Sequence, residues 1–115
     1  MKASVTVSIG RLQGSSRAMP AAMWREFREF VTTVGWAHGE VVFTGTGTGL
    51  HTDGGGVVHA EESFTCVISV DSNFRPEALR KQLRNLAAKF DQECIAMTVG
   101  ETDLVEAAVA VAEVA

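Results

Sequence analysis

A chain of 115 residues has room for one domain and one hydrophobic core, and its 46% apolar and 21% charged residues argue against disorder. No apolar run approaches the roughly 20 residues of a membrane helix, and the N-terminus lacks a signal-peptide block, so we expect a cytoplasmic protein without a membrane partner. The net charge of −4 includes no continuous basic track, which argues against duplex DNA or RNA as a partner.

The first half of the chain reads as a strand followed by a helix. Val5, Val7 and Ile9 alternate with polar residues and fall on one face of a strand. After a segment with two glycines and two serines, Pro20 occupies a favoured first helical position, and Gly35 is expected to end the helix. The apolar face of this helix is predicted at Met23, Phe27, Phe30, Val31 and Val34.

The second half repeats this arrangement. A strand with an alternating apolar face is followed by Pro76, which lies 56 positions after Pro20. The apolar face of the second helix is predicted at Leu79, Leu83, Leu86, Ala87 and Phe90, each also 56 positions after its counterpart. The offset indicates two βαβ halves related by a pseudo-two-fold axis.

A strand after each helix completes the halves, at residues 40–44 and at the alternating Ile95, Met97 and Val99. The order β-α-β-β-α-β predicts an α+β, ferredoxin-like split βαβ domain over residues 1–102. Its four-stranded antiparallel sheet would carry two helices on one face.

Two further expectations concern the surface and the end of the domain. Val42, Val58 and Val67 are apolar residues expected on the open face of the sheet, so we expect a homo-oligomer formed through that face. The tail at residues 103–115 has Asp103 as a candidate cap before an apolar stripe, which favours a helix, although alternating valines also fit a strand.

The loop after the first strand contains groups that recognise anions. Ser15 and Ser16 offer hydroxyls, and Arg11 and Arg17 offer forked, charge-assisted donors beside the start of a helix. The same residues also fit a long turn with serine caps. No Gly-Lys-Ser/Thr sequence closes the loop, so a nucleotide hydrolase is not expected.

Residues 44–56 alternate threonine with glycine and then reach a glycine run. Two interpretations stay open. The segment is a long twisted hairpin, or it is a flap that orders over a ligand through Thr46, Thr48 and His51. Gln92 follows the second helix and is expected at the same end of the sheet as both loops, so it joins the predicted ligand contacts.

Other chemistry is not predicted. His38, His51 and His59 fall near the hairpin, but their spacing does not define a metal site, and we expect neither metal nor cofactor. Cys66 and Cys94 belong to no Cys-x-x-Cys pair and are predicted to be two buried thiols.

Three stretches of sequence resemble a known group of proteins. They are residues 8–11, Met19-Pro20 with Trp24 and Phe27, and residues 89–102. Together they resemble small proteins of unassigned function from phages and prophages of actinobacteria. The last stretch also resembles a domain-of-unknown-function family with this fold, which usually has glycine or a similar small residue in place of Asp91. The resemblance implies a phage origin and a location in the host-cell cytoplasm, and it carries no catalytic residues.

These observations favour a non-enzymatic, oligomeric binding protein. It would hold a small anionic ligand, such as a nucleotide signal, between Arg11, Arg17 and the threonine–glycine segment. Two other classes stay open. One is an interaction module that blocks a host protein with its acidic hairpin, and the other is a small dimeric enzyme with His51 or His38 as general base in a cavity on the sheet face.

Overall fold

The computed structural model describes residues 2–14, 17–52 and 54–108, and for His51 it describes the backbone alone. The elements in chain order are β1 Ala3–Gly10, α1 Ala21–His38, β2 Glu40–Thr52, β3 Val58–Val70, α2 Pro76–Lys89 and β4 Ala96–Glu101. The strands form one antiparallel sheet in the order β2-β3-β1-β4. The predicted ferredoxin-like α+β fold, with its β-α-β-β-α-β order, is confirmed.

The hydrophobic core lies between the helices and one face of the sheet. The inward residues of β1 and β3 alternate as predicted, and Leu79, Leu83 and Leu86 of α2 pack against them. On α1 the buried side is made by Trp24, Phe27 and Val31, so the tryptophan belongs to the core. Met23 and Phe30 of the predicted α1 face are instead 37% and 36% exposed, so periodicity located the buried face of α2 more accurately than that of α1.

Gly35 does not end α1, contrary to the expectation from sequence. The helix continues to His38, and the N–H of Gly39 donates to the carbonyl of Gly35 at its end. A β-carbon at position 35 would lie 2.9 Å from Cγ2 of Val41 and 3.2 Å from Sγ of Cys66. The glycine is thus required because α1 approaches the sheet closely at this point.

Residues 44–52 and 54–56 belong to a long hairpin, and closure of this hairpin over a ligand stays a prediction. β2 pairs with β3 from Glu40 to the Thr52–Val58 pair, and the glycine run supplies the turn. Gly10, the last residue of β1, is opposite Ser63, so the β2–β3 ribbon continues beyond the end of its neighbour.

A β-bulge at Val42 decides which way the ribbon's side chains face. Val41 is opposite Ile68 and Phe43 is opposite Val67, so one extra residue lies in β2 between them. Phe43 therefore faces away from the core, whereas simple alternation would place it on the same side as Val41. After the bulge, the threonines face the helix side and the glycines face the open side of the sheet.

The open sheet face is mostly hydroxylic. On the central strands β3 and β1 and the edge strand β4, the side chains of this face include Thr6, Ser8, Ser63, Thr65 and Thr98. Apolar side chains on this face include Phe43, which is 56% exposed, and the half-buried Val67. Val58 was also expected there, but it alternates in phase with the buried Phe64 and therefore lies on the helix side. The face is thus less apolar than expected, and the homo-oligomer stays a prediction.

The described part of the tail, residues 102–108, has neither helix nor strand. The helix expected from Asp103 therefore does not begin there, and residues 109–115 lie outside the described residues. In the part of the chain that is described, neither helix has the length and apolar character needed to cross a membrane.

Candidate functional site

A cleft of about 440 Å³ lies at the end of the sheet where β1 stops. Three segments form it: the loop after β1, one residue of β3, and the chain that follows α2. Its lining residues are Leu12, Gln13, Gly14, Glu61, Gln92, Glu93 and Cys94. The lining thus contains two carboxylates and, among the described residues, neither lysine nor arginine.

Glu61 is an ionisable group of this cleft whose carboxylate is held in place by the backbone of the neighbouring loop and strand. It lies on the open face of β3, and the backbone N–H of Leu12 donates to its Oε2 at 2.9 Å. A β-carbon at position 10 would lie 2.5 Å from the Glu61 carboxyl carbon, so only glycine leaves room for the side chain to cross β1. The carboxylate is therefore oriented by backbone on two sides.

Two glutamine side chains tie the loop to the end of α2. Nε2 of Gln92 donates to the carbonyl of Leu12 at 2.7 Å, and Nε2 of Gln13 donates to the carbonyl of Phe90 at 3.3 Å. The N–H of Gly14 donates to the carbonyl of Asp91 at 2.8 Å. Gln92, a predicted ligand contact, lines the cleft and also positions its wall.

The chain reverses at Asp91, which has a φ of 52° in the left-handed region. This conformation favours glycine, and aspartate tolerates it better than most residues. The reversal brings Gln92, Glu93 and Cys94 to the cleft.

Arg11 is held in an ion pair and does not itself line the cleft. Its Nε donates to the carbonyl of Met19 at 2.8 Å, and its Nη1 lies 2.6 Å from Oε2 of Glu62. Glu62 and Glu61 are consecutive in β3 and so face opposite sides of the sheet. Arg17 is exposed, and among the described residues its guanidinium has no partner.

The other predicted contacts do not gather around Arg11. Thr46 and Thr48 lie on β2, which is separated from β1 by β3, and both are exposed on the helix side of the ribbon. Ser15, Ser16 and the side chain of His51 lie outside the described residues. The structure therefore brings Gln92 to the cleft and places Arg11 beside it.

His38 is not in a cavity on the sheet face. Its Nε2 is hydrogen-bonded to Oε1 of Gln82 on α2, and its ring contacts the edge of Phe74. This places the side chain between the helices, which is inconsistent with the enzyme alternative that used it as a base on the sheet. His51 and His59 are directly opposite in the ladder. Among the described residues, no group of three or more His, Cys, Asp or Glu is placed to hold a metal ion.

The two cysteines lie in different environments. Cys66 is fully buried in the core, and this burial raises the pKa of its thiol. Cys94 is exposed and lines the cleft, so the prediction of two buried thiols is wrong for Cys94. Glu61, Glu93 and Cys94 were not among the predicted site residues, because their convergence depends on strand register and on the reversal at Asp91.

Comparison with known proteins shows the fold alone. No family model matches the chain, and no curated protein matches it. A phage SAM lyase in complex with S-methyl-5′-thioadenosine has 15% identity and a TM-score of 0.58, over 87% of this chain and 81% of that chain. A phage SAM lyase in the apo state has 15% identity and a TM-score of 0.55, over 95% and 90% of the respective chains. At this identity, what the chain shares with these structures is the fold.

Proposed function

We propose that this chain is a phage-encoded protein that binds a small, positively charged nucleoside of the S-adenosylmethionine type in the Glu61 cleft. The observation that carries the proposal is the Glu61 carboxylate, oriented by the Leu12 N–H in a cleft that also contains Glu93. The structural neighbours named as SAM lyases, one with S-methyl-5′-thioadenosine, support the choice of a nucleoside.

The charge of the cleft favours a cation over an anion. Glu61 and Glu93 line it, while the nearest arginine along the loop, Arg11, is paired with Glu62. Two carboxylates attract a sulfonium or ammonium group and repel a phosphate, most strongly where the cleft excludes water. The size also fits, since 440 Å³ falls within the roughly 300–1,000 Å³ of small-molecule sites.

The test compares ligands that differ in charge. Isothermal titration calorimetry would measure the affinities for S-adenosylmethionine and S-adenosylhomocysteine, which lacks the sulfonium, and for the neutral S-methyl-5′-thioadenosine. Glu61→Gln keeps an acceptor for the Leu12 N–H and removes the charge. We expect it to weaken S-adenosylmethionine binding about tenfold, or ~1.4 kcal/mol, and to change the affinity for the neutral nucleoside less than twofold.

Glu40→Gln is the control, because it makes the same charge change at an exposed residue at the opposite end of the β2–β3 ladder, where Glu40 is opposite Ser69. It should leave both affinities unchanged. Equal losses in the two variants would show a general charge effect, and no binding of any of the three ligands would contradict the proposal.

The experiment also decides the prediction of an anionic ligand held by Arg11 and Arg17. Under that prediction, Arg11→Ala combined with Arg17→Ala abolishes binding of an anion such as AMP. Under the present proposal, the double variant changes the affinity for S-adenosylmethionine less than twofold. Arg11→Ala alone should lower thermal stability, because Arg11 is hydrogen-bonded to the Met19 carbonyl and paired with Glu62.

A second candidate is an enzyme that cleaves S-adenosylmethionine, which the names of the structural neighbours favour. In such a cleavage, the carbon–sulfur bond to the amino-acid portion breaks and its electron pair stays on sulfur, which releases S-methyl-5′-thioadenosine. The substrate's own carboxylate oxygen bonds to the carbon that loses the sulfur, so the amino-acid portion leaves as a lactone. Chromatography of S-adenosylmethionine incubated with the protein would detect that product. Release above the spontaneous rate that falls in Glu61→Gln would establish the enzyme, whereas saturable binding without release would leave a binding protein.

A further inference from the structure

The segment after β4 carries the two most exposed large apolar side chains of the described residues. Leu104 is 85% exposed and Val105 is 88% exposed. We propose that this tail segment, residues 103–108, pairs as an added antiparallel strand with the outer edge of β4 in a second copy of the chain. Each copy supplies its segment to the other, so the contact is made twice. The proposal does not depend on a ligand in the Glu61 cleft.

The outer edge of β4 is open to a further strand. Among the described residues, β4 lies at the edge of the sheet and pairs with β1 alone. Edge strands are usually protected by charged side chains or proline, because their free N–H and C=O groups can extend a sheet. From Ala96 to Gly100 this strand has neither, and its one charged residue, Glu101, is the last. The edge can therefore accept another chain by strand addition.

The tail segment does not cover the edge of its own β4. The N–H of Thr102 donates to the carbonyl of Lys2 at 3.4 Å, so the chain still follows the end of β1 at this residue. Residues 102–108 then contain no turn that would reverse the chain, and each of them is exposed. The segment therefore leaves its own edge strand uncovered, and a second copy presents the same unpaired groups.

The alternation of side chains makes the segment and the edge compatible. Val99 faces the helix side of the sheet and is 44% exposed. A two-fold axis perpendicular to the sheet at Thr102 keeps the two sides in place and brings Val105 of one copy opposite Val99 of the other. Leu104 then lies opposite Gly100, where an added β-carbon would meet nothing within 4 Å. The pairing thus covers apolar side chains that a single copy exposes.

The length and the charge of the segment also fit. β4 has six residues, and the segment matches it residue for residue across the axis. A groove of about 350 Å³ lies between α2 and β4, and Arg80 and Arg84 line it. The segment carries Asp103 and Glu106 and no basic residue, so opposite charges favour its approach to this edge. Glu101 and Asp103 meet near the axis, where both are exposed and solvent screens their repulsion.

The first test joins the two partners covalently. Val99→Cys and Val105→Cys are prepared in separate chains that also carry Cys94→Ser, and the chains are mixed and treated with bismaleimidoethane. We expect a crosslinked dimer. Val42→Cys mixed with Val105→Cys is the matched control, because Val42 is an exposed valine on the other edge strand, β2. The control should give about a tenth of that yield, since strand addition is specific for the edge that it uses.

Sedimentation equilibrium gives a second measurement, made in Phe43→Asp to remove the contact expected on the open sheet face. In that background, Val105→Asp should weaken self-association about tenfold, because it places a charge within the pairing, and Val42→Asp should leave it unchanged. The proposal is overturned if one chain carrying both Val99→Cys and Val105→Cys crosslinks within itself. It is also overturned if Val105→Asp, shown to be folded by circular dichroism, self-associates as its parent does.

Discussion

The carboxyl group of Glu61 fills the space that a side chain at Gly10 would occupy on the open sheet face. A β-carbon added at position 10 would lie 2.5 Å from the Glu61 carboxyl carbon. The register makes this contact, because Gly10 is opposite Ser63 and Glu61 lies two residues before Ser63 in β3, on the same face. Because Gly10 has no side chain, the Glu61 carboxylate of the neighbouring strand can lie over β1.

Gly10→Ala is expected to displace the Glu61 carboxylate and to leave the Leu12 N–H without its acceptor. The displaced group is the end of a flexible side chain, so the free energy of unfolding should fall by only about 1 kcal/mol, the usual value of one hydrogen bond. The affinity for S-adenosylmethionine should fall as far as in Glu61→Gln. Urea denaturation and calorimetry measure the two effects.

Gly47→Ala is its control, since Gly47 is also opposite Ser63 and an added β-carbon would meet nothing within 4 Å. It should leave ligand affinity unchanged. An equal loss of affinity in both variants would mean that the contact between Gly10 and Glu61 does not position the carboxylate.

The two thiols should react at very different rates. At pH 8 a disulfide reagent should modify exposed Cys94 quickly and buried Cys66 only after unfolding, and Cys94→Ser should remove the fast phase. Because burial raises the pKa of Cys66, the unfolded chain releases that proton first, so stability should decline as pH rises through the range above the ordinary thiol pKa. Fast modification of two thiols in the folded protein would contradict this assignment.

Asp91→Gly should not destabilise the protein. Glycine adopts the φ of 52° without the steric cost that a side chain brings, although it also gains freedom in the unfolded chain. We expect a change of about 0 to +1 kcal/mol in the free energy of unfolding, against a loss of about 1–2 kcal/mol for Asp91→Val. Chemical denaturation of both variants tests this, and equal stabilities would show that backbone conformation is not what selects the residue here.

The open sheet face is expected to join copies of the chain, and Phe43 is its most exposed large apolar side chain. Sedimentation at micromolar concentration should then show an oligomer that Phe43→Asp weakens at least tenfold. Arg75→Asp, on the helix side of the fold, is a charge-changing control that should leave the mass unchanged. A single-chain mass for the unaltered protein would show that its hydroxylic sheet face stays exposed to solvent.

Local patterns predicted the fold well, and tertiary contacts account for what they missed. Pro20, Pro76 and the leucines of α2 carry signals within a few residues, so both helices and the buried face of α2 followed from local sequence. On α1, periodicity predicted Phe27 and Val31 but missed Trp24. A glycine such as Gly35 is typical of a helix end, but here it allows α1 to approach Cys66, which lies on β3. Likewise, Arg11 was a reasonable anion ligand until the register placed Glu62 beside it.

The bulge at Val42 has a consequence for comparison with other chains. Because one added residue exchanges the two sides of everything that follows in β2, a relative lacking it would present its threonines where this chain presents glycines. An alignment drawn without a gap at this position would then equate residues on opposite surfaces of the ribbon. Beyond residue 42, a position in another chain is therefore equivalent to one in this chain only if both side chains face the same side of the sheet, whatever the residue types.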